Sequence, residues 1–267
     1  MDKFTQNDFT FAVCAYKESP YLDECICSLK NQTISVNVIV VTSTPNEHIR
    51  KIVEKYELPY YINTGEGGIA QDWNYGMKMA DTGVVTIAHQ DDIYEPDFAK
   101  NILENINKHD KPLIAFTDYG ELRENERVTK NRLLEVKRVM LLPMRIRVLQ
   151  RSIFVRRRIL SFGSPICCPS VTYVKENLPE TVFEVGYRGG VDWQAWEKLS
   201  KLKGAFVYCT DILMYHRIHE DSETSSIIAD SNRTKEDFEM FCKFWPKWIA
   251  RILEHFYKKS ENSNEIN

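Results

Sequence analysis

Short apolar runs alternate with longer amphipathic segments through the first 120 residues, and this alternation limits the possible folds more than any other feature. Phe9–Ala15 and Val36–Val41 are mostly apolar, as buried strands are. Between them, Ser19 before Pro20 predicts a helix start, and apolar residues at helical spacing continue to Asn31. The same pattern predicts strands at 60–62, 84–88 and 113–116 and helices at 46–56, 69–80 and 97–108. Strands separated by helices of this length form a parallel sheet that is covered on both faces.

The second half of the chain is less regular. It contains strand-like runs at 171–174 and 205–209, a predicted helix at 191–202 and a last amphipathic helix at 234–257. We expect the polar tail from Lys258 to fray.

Charge and composition exclude several classes of protein. Lys and Arg total 35 against 38 Asp and Glu, so the net charge of −3 gives no reason to expect nucleic acid as a partner. No run approaches the ~18 uncharged apolar residues of a membrane span, and the polar start predicts no signal peptide. Seven cysteines without a Cys-x-x-Cys spacing predict reduced thiols rather than disulfides or a zinc site, and hence a cytoplasmic protein.

Residues 136–163, hereafter the basic segment, carry eight Lys and Arg residues and no acid, with apolar residues interleaved. One interpretation is a flap that lies on anionic membrane, with arginines 156–158 among those at the lipid phosphates. The other is that the segment folds over the core, where its arginines pair with acids such as Glu121, Glu124 and Glu126.

Parallel sheets bind ligands beyond the carboxyl ends of their strands. Four loops there are rich in polar residues and glycine: 16–19, 42–46, 63–68 and 89–92. Asp91 and Asp92 follow the predicted strand at 84–88, and a divalent cation would relieve the repulsion between adjacent carboxylates. The alternative is a turn in which Asp92 caps the next helix. At the edge of a sheet Asp92 is expected to be exposed, so that Asp92→Asn would leave the fold intact.

Gly65, Gly67 and Gly68 precede the predicted helix at 69–80. Glycines that enter a helix offer backbone N–H groups to an anion such as a phosphate. A flexible turn between strand and helix explains the same residues, so this loop alone leaves both interpretations open.

Four motifs occur in the order and spacing of the family 2 glycosyltransferases, which the chain resembles over residues 8–120 and more thinly at 185–225. They are Phe11–Glu18, Cys25–Thr33, Gly67–Gly76 and Asp91–Pro96. The resemblance implies an α/β fold of the GT-A type, with a mostly parallel, Rossmann-like sheet flanked by helices. It divides the chain into a nucleotide-sugar-binding half (1–120), an acceptor-side half that contains the basic segment (121–230), and a C-terminal amphipathic helix with its tail (231–267).

The resemblance also implies roles for individual residues. Asp92, Asp91 and His219 would hold Mn²⁺ or Mg²⁺, which stabilises charge developing on the leaving diphosphate. Eleven residues stand at the family's nucleotide-sugar-binding positions: Ala15, Tyr16, Glu18, Thr42, Ser43, Gly67, Gly68, Asp72, Asn74, Asp91 and Arg217.

Inverting members of the family place a carboxylate base at a helix start in the acceptor-side half. Asp192, which follows Gly189 and Gly190 at the start of the predicted helix at 191–202, matches that position. It would take the proton of the acceptor hydroxyl as that oxygen attacks the anomeric carbon. The alternative is that Asp192 only caps the helix.

The chain departs from the family's pattern at three positions. Thr42–Thr44 replaces the acid that contacts the nucleotide base, Trp73 replaces an arginine, and His89 replaces the first acid of the metal motif. Late in the chain, His216 is an extra residue in Tyr215–Ser222, a segment that otherwise resembles the family's arginine- and histidine-containing motif.

Together these features predict a metal-dependent, inverting glycosyltransferase that uses a nucleotide-diphosphate sugar, with UDP as the expected nucleotide. The expected acceptor is a glycan or a lipid-linked glycan at the inner face of the cell membrane, in bacterial-type surface polysaccharide assembly. A nucleotidyltransferase is an alternative, but the glycine-rich loop with Arg and Lys that it needs after the first strand is missing from Tyr16–Ser19. A second alternative is a non-catalytic relative that binds nucleotide sugars.

Overall fold

A computed structural model describes residues 3–219 and 232–262. The strands are β1 (Phe9–Cys14), β2 (Asn37–Thr42), β3 (Tyr60–Ile62), β4 (Val84–His89), β5 (Ile93–Tyr94), β6 (Pro112–Arg123), β7 (Glu126–Val128), β8 (Val171–Val174) and β9 (Ala205–Ile218). The helices are α1 (Leu22–Lys30), α2 (Glu47–Lys55), α3 (Ile69–Met79), α4 (Phe98–Ile106), α5 (Arg132–Leu141), α6 (Ile153–Leu160), α7 (Val191–Leu199), α8 (Asn232–Cys242) and α9 (Lys247–Asn262).

Four strands form a parallel half of the sheet in the order β3-β2-β1-β4, as the alternation of strands and helices predicts. Within it Cys14 lies level with Val41 on one side and with His89 on the other. The loops that follow β1, β2 and β4 therefore meet at one edge of the sheet, which we call the carboxyl edge.

The two faces of this half pack against different helices because successive strand residues point to opposite sides. Phe9, Phe11 and Val13 of β1 share one core with residues of α1, α2 and α4. Ala12 belongs to the other core, which includes residues of α3, α6 and α7. A Cβ at Gly76 of α3 would lie 3.4 Å from the Cβ of Ala12, so glycine lets this helix lie close on the sheet.

The second half of the sheet is mixed and continues in the order β8-β6-β9-β5. The short strand β8 lies antiparallel between β4 and β6, while β6 and β9 run parallel to each other. Both long strands extend well beyond the predicted 113–116 and 205–209. Their continuations contain Asp118, Glu121 and Arg217, which are buried polar residues that a hydrophobic pattern does not assign to a strand.

Two predicted helix boundaries are wrong. The C-terminal helix expected at 234–257 is two helices, α8 and α9, because Pro246 lacks an amide hydrogen and disfavours helical geometry at the preceding residue. Helix α1 begins at Leu22 rather than at Pro20, and the Ser19 hydroxyl accepts a hydrogen bond from the Tyr21 amide instead. Of the tail expected to fray, 258–262 continues α9 and 263–267 lies outside the described residues.

All seven cysteines are unpaired, in agreement with the expectation of reduced thiols. None of the helices in the described ranges is long and apolar enough to cross a membrane.

Candidate active site

A cluster of three potential ligands lies where β4 ends at the carboxyl edge. His89, Asp91 and Asp92 each place one ligand atom within 4.8 Å of the others. His89 Nε2 and Asp92 Oδ2 are buried without a hydrogen-bond partner. A buried polar atom left unpaired costs about 1–3 kcal/mol, so two such atoms together indicate that the cluster binds a ligand.

Asp92 is fully buried, which corrects the expectation of an exposed edge carboxylate. Its Oδ1 accepts the backbone N–H of Arg217 at 2.9 Å and lies 3.0 Å from His216 Nδ1. The strand β5 follows it directly, so Asp92 does not cap a helix. Asp92→Asn would deprive His216 of its anionic partner inside the protein, and we therefore expect it to affect stability as well as activity.

The two histidines nearest Asp92 are held in opposite protonation states. Burial lowers the pKa of His89, and the nearby carboxylates only partly oppose this effect. Burial would also lower the pKa of His216, but the charge and hydrogen bond of Asp92 raise it to about 9. At neutral pH His216 is therefore a cation that donates to Asp92, while His89 is the neutral imidazole that metal ions require.

Asp91, the third member of the cluster, is held as a carboxylate. Burial raises its pKa, but the hydrogen bond with His219 and the charges of His216 and His89 outweigh this and leave the pKa below its usual value. The His219 Nε2 lies 2.9 Å from Asp91 Oδ2. His219, a predicted metal ligand, thus reaches the cluster through Asp91.

Strand β9 brings these late residues to the carboxyl edge. Its last residues pair with β5 directly after Asp92, with Tyr215 opposite Ile93. The Arg217 guanidinium donates to the Asp91 carbonyl oxygen at 2.8 Å and to Glu24 Oε2 at 2.5 Å. Arg217 thereby joins the end of β9 to α1, while residues 220–222 of the same motif lie outside the described residues.

A second polar cluster lies beside the first, where β2 and β3 end. The buried Asp72 carboxylate accepts the Ser43 hydroxyl at 2.6 Å and the Asn63 amide at 2.8 Å. A Cβ at Gly67 would come within 3.1 Å of Ser43 Oγ, so only glycine fits this close approach without displacing the serine. Five predicted nucleotide-sugar-binding residues meet here, because Thr42 and Gly68 immediately flank Ser43 and Gly67 in the sequence and Asp72 bonds to Ser43.

The loop after β1 is fixed by two neighbouring loops. Gln90 accepts the Tyr16 N–H at 2.9 Å and donates to its carbonyl at 3.0 Å. The Lys17 N–H donates to Thr44 Oγ1 at 2.6 Å, and Lys17 has a left-handed φ of +53°. Ala15 is buried beneath the loop, whereas Tyr16 and Glu18 are exposed.

Asn74 holds α3 to the acceptor-side half of the chain. Its amide donates to the Phe183 carbonyl at 2.8 Å, and its oxygen accepts the backbone N–H groups of Val182 and Phe183. These bonds give Asn74 a positioning role, and its contact with a donor stays a prediction.

Asp192 lies in the first turn of α7, on the His89 side of the site. Its Oδ1 accepts the Trp193 N–H at 2.6 Å. Its charge acts on His89, where it opposes the larger effect of burial on the histidine pKa. Trp73, which stands in place of the family's arginine, stacks on the His89 ring at 5.2 Å and packs against Phe183.

Six of the basic segment's eight cations have a partner within the protein, and burial of one of them corrects the expectation that Arg156 faces lipid. Arg156 is 1% exposed, and its guanidinium donates to three backbone carbonyls at 200, 202 and 204. Arg157 pairs with Glu197 at 2.9 Å, and Arg158 stacks on Trp245 at 4.6 Å.

The segment folds over the core, but its partners are not the expected acids. Arg138 pairs with Asp118 at 2.6 Å. Glu121 is bound by Arg123 and Asn131 instead. The acids that pair with the segment are Asp110 before β6, Asp118 of β6 and Glu197 of α7.

The residues of the first cluster fit a divalent metal ion. A neutral imidazole nitrogen and a carboxylate oxygen are both buried without partners, and Asp91 lies between them as a second carboxylate. Nitrogen and oxygen donors of this kind suit Mn²⁺, and carboxylates also suit Mg²⁺.

Several residues of the site escape detection from the sequence. The resemblance does not assign His89 as a ligand because it replaces an acid of the family, although its position two residues before Asp91 is a detectable signal. His216 is recognisable only once β9 is known to end beside Asp92. Asn63 and Gln90 lie in the loops that the sheet rule selects, but no motif distinguishes them there.

Comparison with known families gives one match that covers most of the chain. The model described as Glycosyl transferase family 2 matches residues 10–176. A curated relative, the minor teichoic acid biosynthesis protein GgaB of Bacillus subtilis (strain 168), is 22% identical over 249 residues. The match covers 87% of this chain and 25% of the relative, so the chain spans about a quarter of that protein's length.

Solved structures share the fold at low sequence identity. The S. aureus TarS fragment 1–349 in complex with UDP-GlcNAc has a TM-score of 0.60 at 16% identity, covering 92% of this chain and 70% of that one. The mannosyltransferase PcManGT from Pyrobaculum calidifontis, in complex with GDP-Man and Mn²⁺, has a TM-score of 0.60 at 15% identity, with 96% and 70% covered. These similarities confirm the GT-A architecture expected from the sequence.

Proposed function

Because the chain belongs to glycosyl transferase family 2, we propose that it moves a sugar from a nucleotide-diphosphate donor to an acceptor hydroxyl with inversion at the anomeric carbon. The observation that carries the proposal is the cluster of His89, Asp91 and the buried Asp92, with two unpartnered ligand atoms at the carboxyl edge. The family match also favours a glycosyltransferase over the nucleotidyltransferase that the sequence left open.

The cluster would hold Mn²⁺ or Mg²⁺ through an imidazole nitrogen of His89 and the carboxylates of Asp91 and Asp92. The ion, when bound, neutralises charge that develops on the leaving diphosphate. His216 and Arg217 fix the orientation of Asp92 through its other oxygen, and His219 fixes Asp91. These partners hold the ligands in place before a donor arrives, which lowers the cost of binding it.

Asp72 is the group that reads the nucleotide base in this proposal. The family's acid is missing after β2, but the Asp72 carboxylate reaches the same place from α3 and is held there by Ser43 and Asn63. A carboxylate accepts a hydrogen bond from the ring N–H of uracil and rejects a ring nitrogen that carries no hydrogen. This arrangement favours uracil or guanine over cytosine or adenine, and the TarS complex with UDP-GlcNAc supports a UDP-sugar as the proposed donor.

Asp192 is the proposed general base. It would take the proton of the acceptor hydroxyl while that oxygen forms its bond to the anomeric carbon. The bond from this carbon to the diphosphate breaks at the same time, and the nucleotide diphosphate leaves with the electron pair. Attack from the face opposite the leaving group gives inversion.

The acceptor is proposed to be a cell-surface glycopolymer of the teichoic acid type or its lipid-linked precursor, at the inner face of the cell membrane. The support for this class is the relative GgaB, whose name places it in minor teichoic acid biosynthesis.

We also propose a peripheral contact with anionic membrane, through exposed aromatic residues of the basic segment and of α9. Phe154 of the basic segment is 71% exposed, and Trp248 and Phe256 of α9 are 67% and 64% exposed. Arg158 contacts both Phe154 and Trp245, so α6 and the start of α9 are neighbours. Lys247 and Arg251 are exposed on α9 beside these rings, and such a combination suits a surface of anionic lipid.

Flotation with anionic vesicles tests the membrane contact. Trp248→Ser with Phe256→Ser is expected to abolish binding at low salt, whereas Val185→Ser, a change at another exposed apolar side chain, should leave it unchanged. Equal flotation of the two variants would overturn this part of the proposal.

The enzymatic proposal is tested by metal-dependent hydrolysis of UDP-sugars in the absence of acceptor. Asp91→Asn should lower the Mn²⁺-dependent rate by about a hundredfold or more, while Asp81→Asn at the far edge of the sheet should leave it unchanged. A wild-type protein that binds UDP-sugar with Mn²⁺ but never cleaves it, even with an acceptor panel, would instead be the non-catalytic relative. Equal Mn²⁺ dependence in Asp91→Asn and wild type would overturn the metal assignment.

A further inference from the structure

A second charged site lies at the opposite edge of the sheet from the candidate active site. A cavity of about 330 Å³ is lined by Lys108, His109, Asp110, Arg147, Val148 and Arg151. The first three residues precede β6, and the last three belong to the basic segment. Neither the family's motifs nor the proposed reaction uses this cavity.

The strand register sets the distance between the two sites. Val85 of β4 is level with Tyr173 of β8, which is level with Ile114 of β6. Along β4, His89 lies four residues after Val85. Along β6, which runs the same way, the strand begins two residues before Ile114, on the opposite side of this level. At about 3.3 Å per residue, about 20 Å of sheet separates the cavity from the metal cluster, so one small ligand cannot fill both sites.

The positive charge around the cavity is only partly balanced within the protein. Asp110 is the one carboxylate in the lining, and its side chain is 86% exposed and 3.4 Å from Arg151. Among the described residues, no carboxylate lies within ion-pair distance of Arg147. Lys108 donates to the neutral Asn105 side chain. The lining therefore has a net charge of +2 when His109 is neutral.

The two arginines are presented by an anchored piece of backbone rather than by a free loop. Gln150, which stands between them, is 5% exposed and donates to the Met144 carbonyl at 2.8 Å and the Tyr208 carbonyl of β9 at 3.4 Å. The short helical turn at 149–151 is therefore fixed against β9. The anchored backbone keeps both exposed arginines on the same side of the cavity, and their planar guanidinium groups suit phosphate oxygens.

The uncompensated positive charge affects the pKa of His109. It is 9% exposed, and burial lowers its pKa, with a further lowering from Arg147 and Arg151. Gln150 and Asp110 oppose this shift without reversing it. An anion that enters the cavity would favour the protonated imidazole, which then adds a third positive charge to the binding site.

We propose that this cavity is a phosphate-binding site, separate from the donor site, which takes the phosphate group of a phosphodiester or a phosphomonoester. The ligand chemistry is shared by a soluble phosphodiester polymer and by a lipid headgroup, and the exposed Ile146 and Val148 beside the arginines are compatible with either. The assignment rests on the cavity's own residues and does not require that the chain transfers a sugar.

The test follows the imidazole of His109 by NMR through a pH titration in inorganic phosphate and in chloride of equal ionic strength. Phosphate should raise the pKa of His109 by about one unit, and Arg147→Gln with Arg151→Gln should weaken phosphate binding by about tenfold or more. Arg50→Gln with Lys51→Gln, an equal change of charge at two exposed sites on α2, is the matched control and should bind as wild type does. His109→Gln identifies the signal.

Identical His109 titrations in phosphate and chloride would overturn the proposal, as would equal phosphate binding by the double variant and the control. The source of the phosphate is found with an oligomer of glycerol phosphate in solution and with vesicles that contain phosphatidylglycerol. Loss of oligomer binding in the double variant assigns the site to a polymer, and loss of vesicle binding assigns it to a headgroup. Binding of inorganic phosphate alone supports a site for a small free phosphate. Asp91→Asn should bind phosphate normally, so that failure of the proposed sugar transfer leaves this result unaffected.

Discussion

The carboxyl edge and the basic segment both bring charged side chains into the protein interior, but the two regions satisfy those charges in opposite ways. At the carboxyl edge, Asp92 is fully buried and keeps one oxygen without a partner. In the basic segment, Arg156 is equally buried, but all three of its donor nitrogens reach backbone carbonyls. The first arrangement leaves an oxygen available to a ligand, whereas the second uses every donor to hold α6 against the backbone that follows α7.

This difference shows that the number of charged residues in a segment is a poor guide to function. Whether each charged group has a partner within the protein is a better guide. The basic segment has the longest run of uncompensated charge in the sequence, yet Arg138, Arg156 and Arg157 serve the fold. Cations such as Arg147, which have no carboxylate within ion-pair distance among the described residues, are the ones available to bind an external anion. Three predictions test the contrast.

The largest effect is expected at the carboxyl edge. Asp192→Asn should lower turnover by about a hundredfold or more with nearly unchanged donor affinity, because asparagine cannot take the acceptor's proton. The asparagine oxygen can still accept the Trp193 N–H, so α7 should form normally. Steady-state kinetics with separate measurement of donor binding checks this. A variant that loses donor affinity in proportion to its rate would show that Asp192 binds the donor instead.

The second effect belongs to the basic segment and concerns stability rather than rate. Arg156→Gln should lower the free energy of unfolding by about 2–4 kcal/mol, because it leaves buried carbonyls without donors. Arg145→Gln, an equal change of charge at an exposed position of the same segment, should stay within about 0.5 kcal/mol of wild type. Urea unfolding of both variants measures the difference. Equal stabilities would contradict the structural role of Arg156.

The smallest effect is a pH dependence that separates the two regions. The folded pKa of His216 is about 9, above its unfolded value near 6.5, so its stabilising contribution is complete below about pH 6.5 and is lost as the pH rises through 9. The loss is at most about 3 kcal/mol, since each unit of pKa shift corresponds to about 1.4 kcal/mol. The lysines and arginines of the basic segment stay charged throughout this range and contribute no such loss.

Urea unfolding between pH 6.5 and 9, with a chelator present, measures this dependence. His216→Gln should remove most of the fall in stability, while Arg158→Gln should keep it. If His216→Gln and wild type lose stability in parallel, the charge pair of His216 with Asp92 does not stabilise the fold as its geometry indicates.

The sequence predicted the parallel half of the sheet well because its strands are apolar on both faces and its helices repeat at a regular spacing. The helices at 47–55 and 69–79 lie within the predicted 46–56 and 69–80. The prediction was weaker for β6 and β9, whose polar residues are buried by partners far away in the chain. Asp118, for example, is compatible with a strand interior only because Arg138 neutralises it.

The sequence by itself determined the strand–helix alternation, the order of the loops at the carboxyl edge, and the identity of Asp91 and Asp92 as residues at that edge. These follow from local periodicity, which acts over a few residues. Only the tertiary structure decided that His216 and Arg217 bond to Asp92, that the Asp72 carboxylate accepts the Ser43 hydroxyl, and that Arg156 is buried among carbonyls. Each of these contacts joins residues between 29 and 125 positions apart, so it depends on how strands pair and helices pack rather than on any pattern along the chain.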